Sequence, residues 1–259
     1  MGRMSPSTDG PGTALVTGAT AGIGLEFARQ LAARGHDLVL VARDAERLER
    51  VAAELRRTGR EVEVLPADLV DRAQRAVVEA RLADPGRPVD LLVNNAGFGL
   101  KGRFLDNDAD DEERMLTLLV TAPMRLSHAA LRAQTARGRG GIINVSSVAA
   151  FLPRGTYGAA KTWLNRFGIW AAAEYAPRGV TVTTLCPGFV KTEFHERMGV
   201  QRGTGFLWLE PDFLVREALE DFDRGRVFSV PGRQYKAIRA VTRVVPTRVL
   251  QRFQSMGRR

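Results

Sequence analysis

The chain has 259 residues, 44% of them hydrophobic and 26% charged, enough for one large globular domain or two small ones. Its 26 glycines and 12 prolines are too scattered for a collagen or a low-complexity chain, and no run of about 18 apolar residues spans a bilayer. The net charge of +9 sits at one end: after Asp223 there are ten basic residues and no acid, while residues 1–223 hold 28 basic and 29 acidic groups. A near-neutral body argues against a nucleic-acid-binding domain.

Residues 1–12, MGRMSPSTDGPG, lack the apolar core of a signal peptide and read as a flexible leader. TALVT (13–17) is an apolar β-type run, followed by a glycine-rich turn and a helix in which Leu25, Ala28 and Leu31 repeat at helical spacing. DLVLVA (37–42) is the second strand, and Asp44 is a good N-cap for the helix after it. VEVLPAD (62–68) is the third strand, with a helix near 71–83, and VDLLVNNAG (89–97) the fourth, with a long helix across about 110–136. GIINVSS (141–147) precedes a helix over 156–175, and VTVTTLCPG (180–188) precedes a helix near 211–223 and a last strand, RVFSV.

Continuously apolar strands alternating with helices imply an α/β fold, a parallel sheet of about seven strands covered on both faces. Right-handed crossovers make it a doubly wound, three-layer αβα sheet that binds ligands beyond the carboxyl ends of its strands. With no internal repeat and no linker, the expected organisation is one domain over 13–232 and a basic tail over 233–259. One cysteine, Cys186, allows no internal disulfide, and the expected setting is soluble and cytoplasmic.

Two constellations carry chemistry. Between the first strand and first helix stand Thr17-Gly18-Ala19-Thr20-Ala21-Gly22-Ile23-Gly24. Glycines there let a pyrophosphate approach the backbone, and the helix N-terminus faces the anion. Tyr157 and Lys161 stand four apart on a helix, so they share a face, directly after the strand ending in NVSS. An ammonium beside the phenol favours phenolate, which should lower the Tyr157 pKa from about 10 towards neutrality and fit it for acid–base work on a carbonyl or alcohol.

With TGATAGIG (17–24), PADL (66–69), Asn94-Asn95-Ala96-Gly97, Ser147, Tyr157, Lys161, and Pro187-Gly188 followed by Thr192 in this order, the chain resembles the short-chain dehydrogenase/reductase family. The resemblance runs over residues 13–192 and implies a Rossmann-type fold, a nicotinamide cofactor and a homodimer or homotetramer. It also implies cofactor contacts from Gly18, Thr20, Ala21, Gly22, Ile23 and Gly24 in the turn, and from Asp68 and Leu69 in the third strand-to-helix segment. Asn95, Ala96 and Gly97, and later Pro187, Gly188, Val190 and Thr192, complete that set. Lys161 would hold the nicotinamide ribose as well as tune Tyr157, and Ser147 would hydrogen-bond the substrate oxygen. The position that carries an acid in NAD-preferring members is Ala42 here, followed by Arg43. An Arg accommodates the 2′-phosphate, so NADP(H) is favoured over NAD(H); Asp44 is the rival ribose ligand, but it has a capping task.

Two departures stand out. Ser147 precedes Tyr157 by only 10 residues, a shorter spacing than is usual in the family, and Leu119 falls where the family often has a water-anchoring Asn. The leading expectation is therefore an NADP(H)-dependent carbonyl/alcohol oxidoreductase working with a Ser147–Tyr157–Lys161 triad on an apolar small molecule. The alternative is a non-catalytic NADP(H)-binding sensor.

His36, His128 and His195 share no ligand spacing with Cys186, so no metal site is expected. Trp163, Phe167 and Trp170 suggest core or subunit packing, and Phe194, Met198, Phe206, Leu207 and Trp208 fall in an expected substrate lid over about 193–213. In the tail, Ile238, Val241, Val244 and Val245, then Val249, Leu250 and Phe253 beyond Pro246, alternate with arginines as in two short basic amphipathic helices. The favoured fate of that apolar stripe is packing on the body or a neighbouring subunit; peripheral contact with an anionic membrane is the other.

Overall fold

The computed structural model describes residues 11–152, 155–193 and 205–245. A seven-stranded parallel sheet forms its centre. β1 (Thr13–Thr17), β2 (Asp37–Ala42), β3 (Val62–Pro66), β4 (Leu91–Asn94), β5 (Gly140–Val145) and β6 (Val180–Leu185) lie in the order β3-β2-β1-β4-β5-β6. The seventh strand (Phe228–Ser229) pairs parallel to β6 and closes that edge. The helices are α1 (Gly22–Ala33), α2 (Ala45–Arg56), α3 (Arg72–Ala83), α4 (Ala109–Leu116), α5 (Ala122–Arg137), α6 (Gly155–Tyr175), α7 (Pro211–Asp223) and α8 (Arg233–Val244).

Strand alternation builds the three layers. Ala14 and Val16 of β1 and Leu38 and Leu40 of β2 point into one core with α1, α2 and α7, whereas Leu15, Val39 and Val41 point into the other with α3, α5 and α6. Each such Val or Leu side chain contributes roughly 1.5–3 kcal/mol by leaving water, and a one-residue slip of register would move its strand's whole apolar set to the wrong neighbours. Strand order reverses at β1/β4, and the crevice above that point is where an open α/β sheet takes a ligand.

The structure corrects three expectations about elements. The long helix expected over 110–136 is broken by a wide turn, Thr117–Thr121, in which Ala122 N–H donates to Thr117 rather than to Leu118. Pro123 lacks the N–H that would close a regular turn onto Leu119, so the helix widens there. The last strand shrinks from RVFSV to two residues, since pairing with β6 covers Phe228 and Ser229 only. A second small sheet, Phe189–Val190 (β7) beside Trp208–Leu209 (β8), was not foreseen: these strands are two residues long and too short to carry a period.

The start of the basic tail is α8, and Ile238 and Val241 of its expected apolar stripe do not pack on the body of this chain. Ile238 and Val241 are exposed, while Tyr235 is buried in the core and the Arg239 guanidinium lies 4.3 Å from the Phe228 ring centre. The flat cation on an aromatic face outcompetes the aliphatic stripe for the body. The second expected helix of the tail, with Pro246, Val249, Leu250 and Phe253, lies outside the described residues, as do Phe194, His195 and Met198. Among the described residues, no helix is long and apolar enough to cross a membrane.

Candidate active site

A cavity of about 810 Å³ opens above the carboxyl ends of the strands, within the range of a cofactor-sized ligand site. The glycine turn forms its floor. Gly18 and Gly22 take φ of +68° and +54°, conformations that a side chain would strain. α1 starts from Ala21 with no side-chain cap, so its first N–H groups face the cavity. Gly18, Thr20, Ala21, Gly22 and Ile23 line that cavity. Gly24 does not: it packs beneath, where a Cβ would strike the Asn95 amide and the Gly18 carbonyl. An uncapped helix end over a glycine cradle fits a pyrophosphate.

Asn95 lines the cavity and also locks it. Its Nδ2 donates to the Thr17 carbonyl at 2.8 Å, and Asn95 and Ala96 backbone N–H groups donate to Thr17 Oγ1 at 2.9 and 3.0 Å. The segment after β4 thus holds the glycine turn in shape. Asp68, Leu69, Ala96 and Gly97 form one wall, and Pro187, Gly188, Val190 and Thr192 another.

Arg43 is exposed on the cavity wall at the end of β2. Asp44 accepts from the Arg47 backbone N–H at 2.9 Å, the capping task read from the sequence. Arg47, which the sequence reading missed, also lines the cavity, and its guanidinium forks onto the Glu193 carboxylate at 2.5 and 3.3 Å. Its place on the first turn of α2, four residues after Arg43, was the available signal, but its partner is 146 residues away.

At the other end, Ser147, Tyr157 and Lys161 come together. Ser147 and Tyr157 line the same end of the cavity, and the Ser147 hydroxyl pulls the phenol's pKa down, so the short connection still brings the two side chains close together. The neighbouring Ser146 is bonded elsewhere: its Oγ donates to the Lys161 carbonyl at 3.1 Å. Lys161 is buried, donates from Nζ to the Val145 carbonyl at 2.8 Å, and lies 5.7 Å from the Tyr157 ring centre. Leu119, 1% exposed, packs with Met115, Ala160 and Tyr157 and supplies an apolar wall at the position where the family often has an Asn.

The electrostatics differ from expectation. Burial pushes the Tyr157 phenol up to about 12, against a smaller downward pull from Ser147, and pushes the Lys161 ammonium down to about 8. The ammonium does not bring Tyr157 towards neutrality here, because it is spent on a carbonyl and the phenol sits against Leu119 and Ala160. A phenol held protonated suits proton donation.

Of Trp163, Phe167 and Trp170, Phe167 packs against the core shared by α3, α5 and α6, as expected, and the other two are only partly covered or exposed. Trp163 stacks on Phe167 at 5.2 Å, Phe167 meets Trp170 at 5.9 Å, and Trp170 is 52% exposed on the outer side of α6. In the lid region Trp208 packs on Phe189 at 5.3 Å, Leu207 touches the core, and Phe206 is exposed.

Residues 12–202 match the family model described as short chain dehydrogenase. The chain is 36% identical over 203 residues to a galactitol 2-dehydrogenase (L-tagatose-forming) of Cereibacter sphaeroides, covering 76% of this chain and 78% of that one. A short-chain dehydrogenase from Sphingobium yanoikuyae, solved in complex with NADPH, superposes with a TM-score of 0.82 at 38% identity, over 89% of this chain and 93% of that one. The bulky-bulky ketone specific alcohol dehydrogenase from Comamonas testosteroni does so with 0.78 at 31%, over 90% and 94%. A doubly wound sheet, an anion cradle and a matched family model meet in one conclusion: the chain belongs to the short-chain dehydrogenase/reductase family, nicotinamide-dependent oxidoreductases that interconvert CH–OH and C=O.

Proposed function

We propose that the chain is an NADPH-dependent reductase of an apolar ketone or aldehyde, reversible to the alcohol. The observation that carries this reading is that Ser147, Tyr157 and Lys161 line one end of the cavity whose other end is the glycine cradle. The bound nicotinamide supplies the hydride. Ser147 Oγ, on the Tyr157 side of the cavity, is placed to orient the substrate oxygen, and Tyr157 Oη gives that oxygen its proton. Lys161 sets the charge beneath the phenol and binds ribose hydroxyls. Phe98, Leu118 and Leu119 line the cavity and favour an apolar substrate. Residues 13–232 form the catalytic unit; of the lid expected over 193–213, residues 194–204 lie outside the described residues. The exposed Ile169 and Trp170 on α6 support assembly into a homodimer or homotetramer, since neighbouring large apolar side chains are seldom left in water.

Arg43 favours the 2′-phosphate, since Asp44 is occupied as a cap and Arg47 is paired with Glu193. Arg43→Ala should weaken NADPH binding by about 1–3 kcal/mol and leave NADH nearly unchanged, as a fluorescence titration of both cofactors would read. Equal losses would remove Arg43 from cofactor choice. A panel of apolar ketones and aldehydes, followed by loss of NADPH absorbance, tests the reaction. NADPH binding without turnover of any of them would make the protein a sensor instead.

A further inference from the structure

The family match ends at residue 202, yet a side chain beyond it packs directly behind the cavity wall, against Gly188. Tyr235, on the first turn of α8, is 2% exposed. Its ring fills the space above Gly188 so closely that a Cβ on that glycine would fall inside it. Its hydroxyl accepts from the Phe189 backbone N–H at 2.8 Å and donates to the Leu207 carbonyl at 2.5 Å. Both roles of the hydroxyl are therefore filled, and one oxygen ties β7 to Leu207, the residue that precedes β8.

The same helix face reaches the catalytic turn. Arg239, four residues on, lies 5.7 Å from the Phe151 ring centre. Phe151 ends the short turn Val148–Phe151 that Ser147 caps, and the Val148 N–H donates to the Pro187 carbonyl at 2.9 Å. So α8 touches both sides of one junction: Gly188 and Phe189 through Tyr235, and the Ser147 turn through Arg239.

We propose that α8 is a brace for this end of the cavity and that Tyr235 is a positioning residue. It fixes Pro187–Val190 in the shape that receives the nicotinamide half of the cofactor. Resting on the reading of the cavity as a nicotinamide site, the inference extends the functional chain past the family segment. It also predicts a local effect. Loss of the hydroxyl should disturb the nicotinamide half and spare the adenosine half, which lies on Arg43, Asp68 and Leu69.

Tyr235→Phe keeps the ring on Gly188 and removes both hydrogen bonds. It should weaken NADPH binding about tenfold, the size of one good hydrogen bond, and leave binding of adenosine 2′,5′-bisphosphate, a fragment without nicotinamide, unchanged. With an active carbonyl substrate, the deuterium isotope effect from NADPH labelled at the nicotinamide C4 should also rise, since hydride transfer becomes the slower step. Unchanged NADPH affinity, or equal losses for cofactor and fragment, would overturn the proposal; the second result would make Tyr235 a general stabiliser. Should Tyr235→Phe fail to fold, Arg239→Met must show the same split between NADPH and fragment, and its absence would overturn the brace. The affinities need no turnover, so a wild-type protein inert towards carbonyls would defeat the proposed reaction and still leave this split to be decided.

Discussion

Tyr157→Phe should reduce turnover by about 10²–10⁴-fold, the usual worth of a positioned acid–base group, and change NADPH affinity by no more than about twofold. The substitution removes one oxygen from a half-buried ring whose packing on Met115, Leu119 and Ala160 is otherwise kept. The Ser147 hydroxyl stays in place, because it accepts from the Ala149 N–H at 3.1 Å. Folding should therefore be intact, and steady-state rates beside a cofactor titration separate the two effects. A variant retaining a tenth or more of wild-type turnover would take Tyr157 out of the proton step.

Lys161→Met should divide function from stability. Turnover should fall by two or more orders of magnitude, since the buried charge beneath the phenol is gone. The cofactor-free protein should nevertheless gain stability near neutral pH, on the order of 1–3 kcal/mol. The sign follows from the pKa: burial lowers Lys161 to about 8 from an ordinary 10.5. Between those values the unfolded chain binds more protons than the folded one, so wild-type stability from this group rises with pH across that window. Below it the folded protein carries an ammonium in a poorly hydrated place, offset in part by the Val145 carbonyl. Methionine fills the same space without charge. Urea denaturation of both proteins at pH 7 and pH 10 should show the variant's advantage at pH 7 shrinking at pH 10. A variant less stable than wild type at pH 7 would mean that the hydrogen bond to Val145 outweighs desolvation.

The sequence was informative where physics is local. Apolar strands such as LVLV and the uncapped glycine turn depend on neighbouring residues, so their places were legible, as was the capping role of Asp44. Tyr157 and Lys161 could be paired because helical spacing fixes their common face. What escaped depends on distant partners. Arg47 meets Glu193 across 146 residues, and Tyr235 meets Phe189 across 46, with no pattern in either segment to announce it. The wide turn at 117–121 had a cue in Pro123, but the missing N–H breaks the helix a turn earlier, at Leu119, and not at the proline. The pKa of Tyr157 was misjudged for the same reason. Spacing reveals the nearby ammonium, whereas the desolvation that outweighs it comes from Leu119 and Ala160 in the folded packing.

The most direct test of the account follows the hydride itself. Wild-type protein is given an apolar ketone and NADPH deuterated on the transferring face of the nicotinamide C4, and the alcohol is analysed by mass spectrometry and NMR. The account predicts one deuterium on the carbinol carbon per NADPH consumed, with the hydroxyl proton exchanging with water, and negligible product from Tyr157→Phe. NADPH consumed without deuterium in the alcohol, or labelled alcohol formed equally well by Tyr157→Phe, would contradict it.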